Sequence, residues 1–349
     1  MTTPAIAFDA FLQARPHAVL LDVRAPAEYA AGHIPGAISF PLFTDAERAE
    51  IGTLYKQENP RSAFLRGLEL VGPKMAGFVT QAQRLSNGQP ILLYCWRGGQ
   101  RSASMAWLLQ QAGLSVNRLE GGYKNWRQQL LQQLTQAWKL IVVGGYTGSG
   151  KTELLHQLQN NGEQVLDLEA LAGHKGSSFG WLGSAQPTTE QFGNLLLDQL
   201  LYFDPKQPVW VEDEGRMIGI VNVADEFYRQ LREATLLVMQ RPIDNRLNRL
   251  VAEYGQFSNE ELEEAFGRIR KKLGGQHVQA AIEALRADNR YEAARIALSY
   301  YDKAYQTDLS TRKTALTLEF DAGHESAEQL ATHLPTWVKQ QLRVWNTHV

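Results

Sequence analysis

The sequence contains almost no cysteine, no long apolar run and almost no net charge. Cys95 is the single cysteine in 349 residues, so no disulfide can close within the chain, which is typical of a reducing compartment. No segment reaches the roughly 18 uninterrupted apolar residues that a membrane-spanning helix needs. The first residues lack the basic stretch, apolar stretch and cleavage site of a secretion signal. We therefore expect a cytoplasmic protein that does not bind membranes.

Charge and composition constrain the number of domains and the kind of partner. A formal net charge of −2 excludes a uniformly basic nucleic-acid coat, although one domain can still carry a local basic surface. The chain is about twice as long as a typical domain, and its 44% of hydrophobic residues can fill two separate cores. Two domains are therefore expected.

Short apolar runs alternate with amphipathic segments of helical period, a pattern typical of parallel sheets with crossover helices. The predicted fold class is α/β, with a parallel-sheet domain at 1–137 and a doubly wound domain at 138–349. A helix at about 122–137 is predicted to bridge them, and a helical insertion is predicted at about 253–308. One helix is predicted over 63–85. The predicted strands are 18–23, 37–40, 91–94, 116–119, 140–143, 164–167, 209–212, 235–239 and 316–320.

The segment ILLYCWRGGQRSASMAWLL predicts a buried strand that ends at Cys95, a glycine-containing loop and a helix that begins near Ser102. Backbone N–H groups in such a loop point inward and, with the positive end of the helix, stabilise a thiolate. Arg97 and Arg101 add positive charge for the thiolate and for an incoming oxyanion. A buried core cysteine is the alternative, but two glycines and two arginines would make a poor core. We predict that Cys95, Arg97 and Arg101 are catalytic.

The spacing from Cys95 to Arg101 also matches the cysteine, five residues, arginine loop of tyrosine phosphatases, in which a thiolate attacks a phosphoryl group. The loop alone leaves both chemistries open. Upstream, LLDVRAPAEYAAGHIPGAISFP closely follows the pattern of rhodanese domains, and the whole N-terminal domain resembles a rhodanese module. The resemblance implies a cysteine that carries a chalcogen as a persulfide or perselenide. It also implies a structural pair of Asp22 and Arg24 behind the loop and a scaffold role for His33.

The segment KLIVVGGYTGSGKTELLHQL has the Walker A spacing after an apolar strand and before a helix, which is the context that this motif requires. Backbone N–H groups of the loop are expected to wrap a diphosphate, with Lys151 on its terminal oxygens and the Thr152 hydroxyl on Mg²⁺. The predicted phosphate-binding residues of the loop are Gly145, Thr147, Gly148, Ser149, Gly150, Lys151 and Thr152.

A later strand, VWVEDEG, ends at the carboxyl edge of the sheet, where a second Mg²⁺ ligand is expected. Glu212 or Asp213 is the predicted ligand, with a solvated acidic turn as the alternative. The segment DLEALAGHKGSSFG is also predicted to line this site. Its polar residues are Asp167, Glu169, His174, Lys175, Ser177 and Ser178.

Four arginines occupy positions where P-loop kinases keep a phosphate-sensing lid. They are Arg216, Arg241, Arg246 and Arg249. Arg216 and Arg241 are predicted to contact the bound phosphates, although an ordinary surface salt bridge would also explain each of these arginines.

The order of the two modules and their motifs resembles the tRNA 2-selenouridine synthase family over essentially the whole chain. The likeness lies in LLDVRAPAEYAAGHIPGAISFP, YCWRGGQRS, LEGGYKNWR, GYTGSGKTELL, DLEALAGHKGSSFG and WVEDEGRMIG. It implies conversion of 2-thiouridine at the wobble position (U34) of tRNA into 2-selenouridine, with selenophosphate as selenium donor. It also implies that a geranyl group from geranyl diphosphate is first placed on the sulfur, which creates a thiol leaving group. Lys151, Mg²⁺ and the loop amides would then stabilise departing diphosphate.

This resemblance gives the helical region a role. Residues 253–308 form the most basic and aromatic part of the sequence, as expected of a surface that binds RNA phosphates and stacks on unpaired bases. The residues predicted to bind the tRNA anticodon loop are Arg268, Arg270, Lys271, Lys272 and Arg290. Nearby glutamates leave an ordinary charged helix face as the alternative.

Two functions from other classes also fit parts of the sequence. A P-loop kinase or NTPase with a phosphatase-like or sulfurtransferase cysteine loop would turn over ATP without tRNA. A signalling adaptor with a degenerate P-loop is disfavoured by the intact Cys95, Lys151 and Thr152.

Overall fold

The computed structural model describes residues 5–174, 185–314 and 316–346. These residues belong to two units, one that ends at Gln133 and one that begins at Leu134. Each unit is built on a parallel sheet with helices, which confirms the predicted α/β class. Within the described ranges, no helix has the length and apolar character needed to cross a bilayer.

The first unit contains one parallel sheet. Its strands are β1 (Ala5–Ile6), β2 (Val19–Asp22), β3 (Ile38–Ser39), β4 (Ile91–Tyr94) and β5 (Val116–Leu119). They pair in the order β1-β5-β4-β2-β3. All four residues of β4 are buried, as expected of a central strand covered on both faces.

Helices surround this sheet. They are α1 (Phe8–Ala14), α2 (Pro26–Ala31), α3 (Asp45–Gln57), α4 (Pro60–Val71), α5 (Met75–Ser86), α6 (Gln100–Gln111) and α7 (Gly122–Gln132). This unit also has 3₁₀ turns at Arg15–His17 and Gly72–Lys74, and a further turn at Gln133–Thr135 lies at the boundary between the units. The prediction of a single helix over 63–85 is wrong, because α4 and α5 are separated by the turn that contains Pro73. Proline lacks the N–H that a continuous helix would need there.

The second unit contains a parallel sheet and a small antiparallel hairpin. Its strands are β6 (Leu140–Gly145), β7 (Gln164–Leu166), β8 (Val209–Glu212), β9 (Met217–Ile218), β10 (Val221–Asn222), β11 (Thr235–Gln240) and β12 (Thr317–Asp321). The parallel order is β12-β11-β6-β8-β7, while β9 and β10 form the hairpin. Because β6 and β8 are neighbours, the loop after β6 lies beside the carboxyl end of β8.

The helices of the second unit are α8 (Lys151–Asn160), α9 (Leu168–Ala172), α10 (Thr189–Leu200), α11 (Asp225–Glu233), α12 (Ile243–Tyr254), α13 (Asn259–Arg268), α14 (Arg270–Leu273), α15 (Gly275–Arg286), α16 (Arg290–Thr311) and α17 (Ala327–Asn346). Helices α12 to α16 run between β11 and β12, where the sequence predicts a helical insertion. Leu262, Phe266, Leu285 and Ala297 belong to an apolar core of this insertion.

Candidate functional site

The thiol of Cys95 lies at the base of a loop between β4 and α6. Cys95 follows Tyr94, the last residue of β4, and is only 3% exposed. Its Sγ lies 3.2 Å from the Oγ of Ser102, which is itself 3.0 Å from the carbonyl oxygen of Gly99. The sulfur is therefore held at the start of the helix, and a reagent must enter the loop to reach it.

The backbone of this loop presents a row of hydrogen-bond donors. None of the N–H groups from Trp96 to Ser102 bonds to an acceptor within the described part of the chain. Gly98 has a φ of +65°, in the left-handed region that allows successive amides to face one side. A helix N-terminus next to such amides is suited to an anion with several oxygens.

A second glycine turn fixes the loop from behind. The amides of Tyr123 and Lys124 donate to the carbonyl oxygens of Cys95 and Trp96, each at 2.9 Å. Gly122 has a φ of +60°, and a side chain there would overlap the carbonyl oxygen of Cys95. The LEGGYKNWR motif is thus explained by close backbone packing against the cysteine loop.

Arg101 is held by a carboxylate. Its Nη1 and Nη2 donate to the two oxygens of Glu28 at 2.6 and 3.3 Å. Burial alone would raise the pKa of Glu28, but the hydrogen bonds and charge of Arg101 outweigh it, so the pKa lies below 4.5. Arg97 is exposed and forms no ion pair with another described residue, so it is free to meet an incoming anion.

The predicted structural pair lies deep in the same unit. The Arg24 guanidinium donates to Asp22 at 2.6 to 3.0 Å and to the carbonyl of Gly32, and it lies over the ring of Tyr123. The His33 ring stacks on Tyr29, and its Nδ1 lies 3.0 Å from the carbonyl oxygen of Tyr29.

A cavity of about 720 Å³ opens beside Arg101. Apolar side chains of α3 and α4 line most of it, including Ile51, Phe64 and Leu68. Phe64 and Leu68 are about half exposed, at 46% and 53%. This volume falls in the range of small-molecule sites.

In the second unit, the loop after β6 has the geometry of a phosphate cradle. The amides of Gly148, Gly150, Lys151 and Thr152 have no acceptor among the described residues, and the Lys151 Nζ reaches the carbonyl oxygen of Gly145 at 3.0 Å. The Ser149 hydroxyl is buried and unpaired within the described chain. Such a group costs about 1–3 kcal/mol, so the loop fits a ligand that supplies oxygens.

Arginines hold the outer side of this P-loop. Arg246 donates to the carbonyl oxygen of Thr147 at 2.9 Å, and Arg241 donates to that of Ser149 at 3.0 Å. Arg249 pairs with Glu153 and packs against Gly150. Arg241 thus contacts the loop backbone, whereas the predicted contact with bound phosphate stays a prediction. Arg216 is 60% exposed and pairs with Asp225.

The two predicted Mg²⁺ carboxylates have different surroundings. Glu212 Oε1 lies 3.2 Å from the Thr152 hydroxyl, whereas Asp213 forms a buried ion pair with Arg312. Burial, together with the nearby Glu169 carboxylate, raises the pKa of Glu212 well above 4.5. Thr152 and Glu212 fit a Mg²⁺ ion that takes its other ligands from phosphate and water. No group of three or more acidic, histidine or cysteine ligands occurs in the described residues.

The predicted RNA-binding residues lie on the helical insertion. Arg270, Lys271 and Lys272 are exposed on α14, whereas Arg268 pairs with Glu264 and Arg290 donates to the carbonyl of Gly255. The segment DLEALAGHKGSSFG is also predicted to line the P-loop site. Its Glu169 Oε2 lies 3.4 Å from the Thr152 hydroxyl. Lys175, Ser177 and Ser178 fall outside the described residues.

Sequence reasoning missed several contacts of the two loops. Ser102 directly follows Arg101, so the motif itself contains the signal. Asp302 of α16 bonds to Arg246, and Tyr305 of the same helix packs against Tyr146 of the P-loop. Both lie more than a hundred residues after the P-loop in sequence, so no local pattern indicates these contacts.

The family comparison accounts for both units. A family model described as the tRNA 2-selenouridine synthase AAA domain matches residues 138–336, and a rhodanese-like domain model matches residues 8–129. The chain belongs to the tRNA 2-selenouridine synthase family. Proteins named tRNA 2-selenouridine synthase are similar to it over most of their length.

Two of these relatives illustrate the extent of the similarity. The protein of Pseudomonas putida (strain W619) is 34% identical over 331 residues, which cover 83% of this chain and 89% of the relative. That of Bordetella petrii is 35% identical over 347 residues, which cover 89% and 91% of the two chains. A solved rhodanese-related structure from Thermoplasma volcanium is 21% identical over 36% of this chain and 92% of its own, with a TM-score of 0.24.

Proposed function

We propose that the chain is a tRNA-modifying transferase that converts 2-thiouridine at U34 into 2-selenouridine. The observation that carries this proposal is the presence of two anion-binding loops in one chain, one at Cys95 and one at Lys151. Membership of the tRNA 2-selenouridine synthase family supports it. The proposed substrates are tRNA, geranyl diphosphate and selenophosphate.

The P-loop serves the first step, transfer of the geranyl group. The thiocarbonyl sulfur attacks C1 of geranyl diphosphate, the bond from C1 to the diphosphate oxygen breaks, and the proton on N3 of the base is released. Lys151 and the unbonded amides of Gly148, Gly150 and Thr152 stabilise the charge on departing diphosphate. Mg²⁺, held by Thr152 and Glu212, would supply further charge neutralisation. ATP hydrolysis is not needed.

The cysteine loop serves the second step, exchange of alkylated sulfur for selenium. Selenium from selenophosphate replaces the geranylthio group at C2 of the base, and geranylthiol leaves. The unbonded amides from Trp96 to Ser102 and the guanidinium groups of Arg97 and Arg101 are suited to bind the selenophosphate anion. The apolar cavity beside Arg101 supports a role for an apolar group near this loop.

The helical insertion is proposed to hold the tRNA. The exposed charges of Arg270, Lys271 and Lys272 are available for phosphate contacts, and Arg268 and Arg290 lie on the same insertion. An anticodon-loop base must leave its stack before its position 2 can be reached, so RNA contacts near unpaired bases are required.

An omission experiment tests the proposal. The protein is incubated with thiolated tRNA, geranyl diphosphate and selenophosphate, each is left out in turn, and the nucleosides are analysed. We expect S-geranyl-2-thiouridine without selenophosphate, and 2-selenouridine only with all three. Formation of 2-selenouridine without geranyl diphosphate would show that selenation does not require alkylation. ATP turnover without tRNA, and no change in the nucleosides, would favour a kinase or NTPase.

A further inference from the structure

We propose that Cys95 attacks the phosphorus of selenophosphate, so that the cysteine carries a phosphoryl group and selenium leaves as selenide. This inference rests on the proposed function, because it takes selenophosphate as the selenium donor. It replaces the perselenide that the rhodanese resemblance implies with an S-phosphocysteine.

The electron count favours attack at phosphorus. Selenium in selenophosphate is at the oxidation level of selenide, and 2-selenouridine holds it at the same level. A perselenide on Cys95 is more oxidised by two electrons, so its formation from a thiol and selenophosphate needs an oxidant. The proposed reaction supplies none, whereas phosphoryl transfer to the thiolate changes no oxidation state.

The loop is built for a phosphoryl group. Five residues separate Cys95 from Arg101, the spacing at which a cysteine loop surrounds a phosphoryl group in tyrosine phosphatases. The N–H groups from Trp96 to Ser102 have no acceptor in the described chain and can bond to three phosphoryl oxygens. Glu28 fixes the Arg101 guanidinium with two hydrogen bonds, which leaves its remaining N–H groups for one of those oxygens.

Ser102 is positioned to act on the sulfur itself. Its buried hydroxyl lies 3.2 Å from the Cys95 Sγ. In the resting loop the hydroxyl donates to the carbonyl oxygen of Gly99, and by turning its hydrogen to the sulfur it would stabilise the thiolate that leaves when water attacks S-phosphocysteine. Ser102 is therefore a positioning residue for the release of phosphate.

The steps balance in atoms and electrons. The Cys95 thiolate forms a bond to phosphorus, and the selenium–phosphorus bond breaks with its electron pair on selenium, which takes one proton from water and leaves as the hydrogenselenide anion. Selenide then bonds to C2 of the alkylated base, the bond from C2 to sulfur breaks, and geranylthiolate takes a proton from water. The selenide proton ends on N3. Water hydrolyses S-phosphocysteine to phosphate and the free thiol.

Mass spectrometry of the full-length protein tests the inference. Wild type and Ser102→Ala are mixed with selenophosphate, quenched with denaturant at neutral pH and digested. We expect a phosphoryl group on the Cys95 peptide, without the isotope envelope of selenium and resistant to dithiothreitol. The labelled fraction should persist about tenfold longer in Ser102→Ala, because the variant cannot donate a hydrogen bond to the leaving thiolate. Released selenide is trapped in parallel with an alkylating reagent.

Other outcomes overturn the inference in distinguishable ways. A selenium envelope on Cys95 that dithiothreitol removes would establish the perselenide and leave the proposed function intact. Selenation by Cys95→Ser at the wild-type rate would remove Cys95 from the chemistry altogether. If the omission experiment yields no 2-selenouridine from selenophosphate in the wild type, the proposed function itself fails, whatever Cys95 carries.

Discussion

Glu28 of α2 holds Arg101 of α6 through both carboxylate oxygens, at 2.6 and 3.3 Å. The pair connects the helix that follows β2 to the helix that follows the cysteine loop. The guanidinium is thereby oriented before any anion arrives, which reduces the entropy cost of binding the anion.

Glu28→Gln should therefore lower the rate of selenation and leave geranylation unchanged. The pKa of Glu28 is lowered in the folded protein, so the pair stabilises the fold above pH 4.5, and this contribution is lost as the pH falls through the lowered pKa. Urea unfolding should show a loss of about 1 kcal/mol near neutral pH and no loss in strong acid. Glu50→Gln, which breaks the exposed pair with Arg66, is the control. It should change neither the selenation rate nor the pH dependence of the unfolding free energy.

Gly122→Ala should disable the cysteine loop. The substitution carries the cost of a positive φ, about 1 kcal/mol, and its Cβ overlaps the Cys95 carbonyl, which adds about 2 kcal/mol. Gly113→Ala is a matched control, since its φ is +81° but no atom lies within 4 Å of the new Cβ. Equal losses of unfolding free energy in the two variants would contradict the close packing.

Cys95→Ser and Lys151→Ala should separate the two steps. We expect Cys95→Ser to abolish selenation while S-geranyl-2-thiouridine still forms. Lys151→Ala should slow geranyl transfer by about a hundredfold, because it removes a positive charge that stabilises the departing diphosphate. Nucleoside analysis of tRNA from each reaction measures both effects. A variant that loses both steps while remaining folded would argue against separate tasks for the two loops.

Asp302→Ala should weaken the P-loop from a distance. Asp302 forms two hydrogen bonds to Arg246, which in turn holds the carbonyl of Thr147. Its removal leaves the nearly buried Arg246 without its carboxylate, at a cost of about 3 kcal/mol. The affinity for inorganic diphosphate, measured by calorimetry, should decrease as well. Arg295→Ala, which breaks an exposed pair on the same helix, should change stability by no more than about 0.5 kcal/mol.

Replacement of Arg270, Lys271 and Lys272 together by alanine should weaken tRNA binding. The logarithm of the affinity decreases as the logarithm of the salt concentration rises. For each phosphate that one of these side chains neutralises, the magnitude of this slope should be smaller by about 1 in the variant. Filter binding at several salt concentrations measures this slope. Arg286→Ala removes a charge that Glu263 already neutralises, so its slope should stay near that of the wild type. An unchanged slope in the triple variant would place the RNA elsewhere.

Local sequence patterns were sufficient for much of the fold. The strands at 91–94, 116–119 and 209–212 have the predicted bounds, because a turn residue, proline or serine, directly precedes each of them. Strands β1, β9 and β10 were missed, since two residues are too few to show any period. The break between α4 and α5 was missed because the apolar stripe continues on both sides of Pro73.

The candidate site was predictable only in part. Cys95, Lys151 and Thr152 belong to motifs in which neighbours in sequence are neighbours in space. The opposite surroundings of Glu212 and Asp213 depend on Arg312, about a hundred residues away, and no local pattern distinguishes these two adjacent acids. The same holds for Asp302 and Tyr305, whose contacts with the P-loop exist only after α16 has packed.

Helix α16 also has a mechanical consequence. At its start Arg290 lies among the residues proposed to meet RNA, and nearer its end Asp302 and Tyr305 bear on the P-loop. A long helix transmits displacement along its axis with little bending, so RNA bound near Arg290 would be mechanically connected to the P-loop. If the proposed function holds, binding of the nucleic acid and the state of the P-loop would be coupled through this single helix.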